Sequence, residues 1–222
     1  MGWGMDKIIA CLVNEHDYRM VLVAGVVCFL AALTSFRLYS RMNGARGLVR
    51  GAWLLLTALV AGSGVWATHF LAILAYDPGV ETGYSPTGTM MSLMVAVFFM
   101  AAGFFAATTS RERANQMAGG MLIGVGVAGM HYTGMSSFVT QGTIVWEAAT
   151  IGASVVVGVI GASAALMLAG DARSFPRQVL ASLALTLGVC GLHFTAMGAI
   201  TIVPDMTVIV PDQLEGVMTL AV

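Results

Sequence analysis

The sequence predicts an all-α membrane protein, a bundle of six to seven transmembrane helices built from three parallel two-helix repeats in a pseudo-threefold arrangement. Three observations carry this expectation. Hydrophobic residues make up 58% of the 222 residues and charged residues only 9%, and several apolar stretches exceed the ~20 residues a helix needs to cross a bilayer. Eight of the ten basic residues sit in alternate connections between those stretches. Three histidines inside the apolar runs, His69, His131 and His193, are separated by 62 residues and then by 62 again.

The elements follow in chain order. The opening MGWGMDKIIACLVNEHDYR holds a six-residue apolar patch at 8–13 with acids on either side. That patch is too short and wrongly flanked for a secretory signal, so the first span is expected to stay uncleaved. Hydropathy then places spans at about 19–39, 49–76, 89–109, 116–139, 147–169 and 177–203, with a seventh beginning near Leu214 and cut at Val222. The connections after the first, third and fifth spans, with the adjoining span ends, carry Arg37, Arg41, Arg46, Arg50, Arg111, Arg113, Arg173 and Arg177 against only Glu112 and Asp171. Basic loops stay in the cytoplasm. The other side takes the remaining acids, among them Asp77, Glu81, Glu147, Asp205, Asp212 and Glu215, which puts the N-terminus outside. A completed seventh span would return the chain to the cytoplasm. Three scattered cysteines, Cys11, Cys28 and Cys190, imply no disulfide framework. A net charge of −1 identifies no partner, and no nucleic-acid partner is expected.

The internal repeat organises the chain. GVWATHFLAIL at 64–74, GVAGMHYTGMS at 126–136 and GVCGLHFTAMG at 188–198 align without gaps, each in the outer third of an even-numbered span. Repeats of about 19–80, 81–142 and 143–205 would each be one helix pair entering with the same orientation. Such parallel repeats suggest an axis along the membrane normal, with the second, fourth and sixth spans at the centre and the three histidines at one depth.

The chemistry of that layer follows from helix geometry. Residues four apart share a face, so His131 lies with Met135 and His193 with Met197, while Met130 is rotated by about 100° to the side. Imidazole beside a soft thioether suits copper better than magnesium, calcium or manganese. Cys190, three residues before His193, could face the same site or be a small core residue; Trp66 and Ala128 at the equivalent positions favour the core reading. The plain alternative is that the histidines bond neighbouring helices and the methionines fill space. Against it, intramembrane ionisable groups are costly, and these are placed by symmetry. Phe70, Tyr132 and Phe194, one residue after each histidine, are expected to pack on adjacent helices. Thr133 and Thr195 should bond the carbonyl one turn back. Gly62, Gly64, Gly124, Gly126, Gly188 and Gly191 should let helices approach closely. His16, in NEHDYR, could fold over the bundle mouth as a further ligand, but its polar neighbours Asn14, Glu15 and Asp17 favour surface exposure.

The triplicated pattern resembles the bacterial MHYT domain, a multi-pass module of the inner (cytoplasmic) membrane placed ahead of cytoplasmic signalling domains, and the resemblance covers essentially the whole chain. The second copy, Met130-His131-Tyr132-Thr133 followed by Gly134-Met135, matches in full. The third has Leu192 for the first methionine and keeps Met197, whereas the first has Thr68 and Ile73 at the two methionine positions. The resemblance implies copper held by these histidines and methionines and used to sense oxygen, carbon monoxide or nitric oxide.

Other classes fit less well. A retinal protein needs a lysine within a span, and the only lysine, Lys7, precedes the first. A proton-coupled transporter would show acids at mid-membrane, yet every acid here lies in a loop or at a span end. A zinc-dependent membrane hydrolase would want a carboxylate base beside the histidines. A b-type haem protein is the best rival, although haem normally pairs two histidines rather than three. The expectation is therefore a non-enzymatic sensor with a metal site of His69, His131, His193, Met135 and Met197, and Met130 as an alternate ligand. Copper is the expected ion, with zinc or haem as alternatives. The partners would be the lipid bilayer, a diatomic gas and a following cytoplasmic signalling domain; homodimerisation is left open.

Overall fold

Long apolar segments in lipid must satisfy their backbone groups internally, so helices are the expected solution. The structure, a computed structural model, describes residues 11, 13, 15–110, 112–170, 174–205 and 207–210. Among them it has six long helices: α1 Tyr18–Gly44, α2 Gly47–Leu74, α3 Pro86–Ala107, α4 Arg113–Ser136, α5 Ala148–Ala169 and α6 Phe175–Met197. At ~1.5 Å per residue each is long enough for a hydrocarbon core of ~30 Å. The Asp17 carboxylate caps α1 by accepting from the Arg19 backbone N–H at 2.8 Å. Pro86 and Pro176 occupy the first turns of α3 and α6, where a missing N–H is harmless. Gly170 ends α5 at φ 54°, a conformation suited to glycine.

Five of the six helices are long and apolar enough to cross a membrane. The sixth, α4, carries six glycines and the polar Asn115 and Gln116, which lower its hydropathy. Those glycines serve packing: a Cβ at Gly124 would lie 2.5 Å from the Val159 Cα on α5. Each helix packs along the next, α6 returns to α1, and α4 also touches both α2 and α6. The ring is therefore closed. Its outer surface bears Leu22, Val26, Leu30, Phe98, Val156 and Ile160, all exposed, as a lipid-facing surface would be.

Two expected boundaries are corrected. The fourth span was expected to reach 139 and the sixth 203, but α4 stops at Ser136 and α6 at Met197, where the chain enters short strands. Strands β1 (Thr82–Tyr84) and β2 (Phe138–Thr140) pair antiparallel, as do β3 (Gly142–Trp146) and β4 (Ile200–Pro204), with Trp146 opposite Ile200. Runs such as Thr143-Ile144-Val145 and Ile200-Thr201-Ile202-Val203 are apolar enough to prolong a hydropathy window, yet β-branched residues favour a pleated ladder once a partner strand is in reach. The all-α expectation thus holds for the long elements, and the four strands cap the bundle end at which α2, α4 and α6 terminate. The opposite end carries the described arginines other than Arg19. Arg37 lies over the Phe175 ring at 5.1 Å, Arg41 over Trp53 at 5.5 Å, and Arg50 Nη2 donates to the Thr108 carbonyl at 2.9 Å. The expected seventh span from about 214, and Arg111 and Arg173, lie outside the described residues.

Candidate metal centre

Helices α2, α4 and α6 present the same three steps along their buried faces. One turn before each histidine stands a valine, Val65, Val127 or Val189, within the apolar core nearer the arginine end. One turn after it stand Ile73, Met135 and Met197, in a second apolar cluster with Phe70, Tyr84 and Phe138 beneath the strands. Residues four apart stack on one helical face, so the histidines form the layer between. His69, His131 and His193 are all buried, His131 to 1% exposure.

The rings turn the same nitrogen inward. His131 Nδ1 is 3.2 Å from His69 Nδ1, and His69 Nδ1 is 3.4 Å from His193 Nδ1. The three ligand atoms all lie within 4.8 Å of one another. The rings meet edge to face, with centroids 4.8, 5.4 and 5.3 Å apart. A neutral imidazole nitrogen offers one proton or one lone pair, so His69 Nδ1 cannot make good hydrogen bonds to both neighbours. The three Nε2 atoms are buried without a hydrogen-bond partner. A single cation accepting all three Nδ1 lone pairs removes the competition at His69 Nδ1 and puts the proton of each ring on Nε2. Nitrogens held ~2 Å from one tetrahedral ion lie ~3.3 Å apart, which the two distances from His69 Nδ1 match. The residues present therefore fit a metal ion.

Gly134 seats one of the rings. A Cβ there would lie 2.7 Å from His69 Nε2 and 3.2 Å from its Cδ2, so the glycine of the second motif makes room for the histidine of the first. Tyr132 stands edge-on to His131 at 5.0 Å and places its hydroxyl 2.6 Å from Ser154 Oγ on α5. Thr68 donates to the Gly64 carbonyl at 2.8 Å, one turn back. A small cavity of about 20 Å³ adjoins the triad, with Val21, Ala24, Val127, Met130, Cys190 and Leu192 in its wall. Such a volume holds one water-sized molecule.

The sequence-expected residues are thus distributed unevenly. The three histidines come together, Met130 borders their cavity, and Met135 and Met197 lie one turn outward in the cluster with Ile73. Cys190, expected as a core residue, also borders the cavity. His16 requires a correction, since it is 7% exposed rather than on the surface. Asp17 N–H donates to the Ala75 carbonyl and Asp77 N–H to the Glu15 carbonyl, both at 2.9 Å, which folds residues 15–17 across the end of α2. The ring then packs on Tyr76 and Phe194 while Glu15 and Asp17 stay exposed. Burial holds His16 below its ordinary range, against the Cys11 carbonyl and the Glu15 charge, which act in the other direction. Burial, reinforced by Glu15, pushes the Cys11 thiol up to about 12. No local signal could have revealed the fate of His16, because its partners lie some 60 and 180 residues away in the chain.

Comparison with known proteins supplies the family. The MHYT model, described as "Bacterial signalling protein N terminal repeat", matches residues 62–120 and 124–182, starting at positions separated by the histidine spacing. The chain is 62% identical over 218 residues to an "Uncharacterized signaling protein" of Caulobacter vibrioides, covering 97% of this chain and 27% of that protein. It is 31% identical to the "Bifunctional diguanylate cyclase/cyclic di-GMP phosphodiesterase MucR" of Pseudomonas aeruginosa, over 85% of this chain and 28% of MucR. It is 32% identical to the "Cyclic di-GMP phosphodiesterase NbdA" of the same organism, over 84% of this chain and 25% of NbdA. The chain therefore spans about a quarter of the length of these relatives. No solved structure matches it.

Proposed function

The chain belongs to the MHYT family of bacterial signalling proteins, and from that premise we propose that it is the sensory input module of a multi-pass membrane protein, holding copper at His69, His131 and His193. The observation that carries this reading is the convergence of three buried Nδ1 atoms at 3.2 and 3.4 Å. Copper would supply a soft, redox-active centre. Met135 and Met197 would add thioether from the outward side, with Met130 as an alternate ligand from the cavity wall. The signal is a diatomic gas, oxygen, carbon monoxide or nitric oxide, for which the cavity beside the triad is of suitable size.

The closed ring of helices supports the pseudo-threefold arrangement, and the common position of the α2, α4 and α6 ends supports α4 as a sixth span. The arginine-bearing end is the cytoplasmic one, so the N-terminus and the strands face outward. For a ligand to be sensed, its affinity must differ between two helix arrangements. The Tyr132 hydroxyl on Ser154 couples the histidine layer to α5 and would be remade in such a shift. The shift would pass to a cytoplasmic output domain, one that acts on cyclic di-GMP as the names of MucR and NbdA say of those proteins. No catalytic step is assigned to the present residues.

Haem is the second reading, and its difficulty is space. The rings touch edge to face, with no slot for a macrocycle between their nitrogens. A zinc hydrolase lacks its base: among the described residues no carboxylate joins the histidine cluster.

The copper reading is tested through the thioethers. Replacing Met135 and Met197 together by Leu nearly conserves volume and should cost less than ~1.5 kcal/mol per site. Affinity for Cu(I), measured against a competing chelator, should fall by about tenfold, and by less for Cu(II), since only the soft contribution is removed. The reverse change Ile73→Met should strengthen Cu(I) binding. Unchanged affinity in the double variant would make the methionines packing residues.

A further inference from the structure

Three histidines converge on one point, and the fourth, His16, is buried among residues that line two cavities. On its outer side the ring lies 5.2 Å from Tyr76, and Nδ1 is 3.8 Å from Cys11 Sγ. Cys11 and Tyr76 both line an outer cavity of about 350 Å³, which also reaches Glu15, Asp77 and Met197. On its inner side the ring stands edge-on to His193 at 6.3 Å and to Phe194 at 5.4 Å. Those two residues line the small cavity beside the triad. His16 thus contacts a wall of each cavity while lining neither.

Its tautomer is fixed by the backbone. Nδ1 lies 2.9 Å from the Cys11 carbonyl oxygen, which can only accept, so Nδ1 carries the proton and donates it. Nε2 is left with a bare lone pair, buried and without a partner. One nitrogen donating to a backbone carbonyl with the other left free is the way metal-binding histidines are commonly held. An unpartnered buried acceptor costs free energy that a cation would remove. The carboxylates of Glu15 and Asp77 give the outer cavity a negative potential, which concentrates cations at its mouth. Met197 lines that same cavity and shares a helical face with His193.

We propose that His16 is a fourth imidazole ligand of the soft cation held at the triad. The inference rests on the metal reading given above. The His16 and His193 rings are slightly farther apart than the triad rings are from one another, so ligation needs a modest rotation of the His16 side chain.

The test uses the full chain loaded with Cu(I) under reducing conditions and challenged with a competing Cu(I) chelator. His16→Phe keeps the ring and its packing but removes both nitrogens, and His16→Gln keeps a donor for the Cys11 carbonyl. Both variants should bind Cu(I) about tenfold more weakly than wild type and release it faster, as loss of one partner in such a site predicts. In the Cu(II)-loaded protein, pulsed EPR should count four coordinated imidazoles in wild type and three in His16→Phe. A His16→Phe protein that matches wild type in affinity, release rate and imidazole count overturns the proposal and leaves His16 as a packing lid. A wild type that binds no more copper than His131→Ala overturns the metal reading itself, a separate outcome.

Discussion

His131→Ala is expected to lose most of its copper, with affinity falling by on the order of 100-fold or more, while the protein still folds. His131 supplies one corner of the Nδ1 triangle, 3.2 Å from His69. Without it only two imidazoles of the triad remain, and Met135, carried on the same helical face, loses its neighbouring ligand. Folding should survive for a physical reason. The imidazole leaves a cavity, which destabilises, but its removal also relieves a crowded cluster in which Nε2 has no partner, and an unsatisfied buried polar group costs ~1–3 kcal/mol. The two effects oppose each other. Melting of the metal-free variant and wild type in detergent should therefore differ little, whereas metal titration should separate them clearly. A variant that unfolds and a variant that keeps wild-type affinity would each contradict the account.

Gly161→Val should have the largest effect on the fold. A Cβ at Gly161 would run into the Gly188 Cα, and a Cβ at Gly188 would lie 2.8 Å from the Gly161 Cα. The α5 and α6 backbones therefore touch at this point, and neither helix has a flexible side-chain end that could yield. Small residues at such crossings permit the approach on which helix association in lipid depends. A valine should cost about 3 kcal/mol or more, above the usual range for overpacking because backbone itself must move. Since α6 carries His193, copper affinity should fall with it. Gly25→Ala and Gly152→Ala are the controls: nothing lies within 4 Å of a Cβ at either position. Both should be neutral or stabilising by up to ~1 kcal/mol. Equal melting temperatures for Gly161→Val and Gly152→Ala would show that the crossing is looser than described.

The helices and the histidine layer were legible in the sequence because lipid enforces long apolar runs and a period of 62 residues repeats one environment three times. What the period cannot encode is the rotamer. Whether His69 turns Nδ1 or Nε2 inward depends on Gly134, which belongs to another helix and leaves room for the ring. The strands were hidden because Ile200-Thr201-Ile202-Val203 reads as more span until β3 is known to lie beside it. His16 misled for a related reason: its sequence neighbours are polar and exposed, yet the ring is covered by Tyr76 and Phe194 from distant parts of the chain. The departures at Thr68 and Ile73 were visible from the start, and the structure sets them on either side of the histidine layer, Thr68 beside the small cavity and Ile73 in the outer cluster with Met135 and Met197.

The central claim, that three buried imidazoles form a metal site, is tested most directly by elemental analysis of protein purified without a histidine tag, taken together with its visible spectrum. The account predicts copper equimolar with the chain and no haem absorption. No metal above background, or iron accompanied by a haem spectrum, would contradict it.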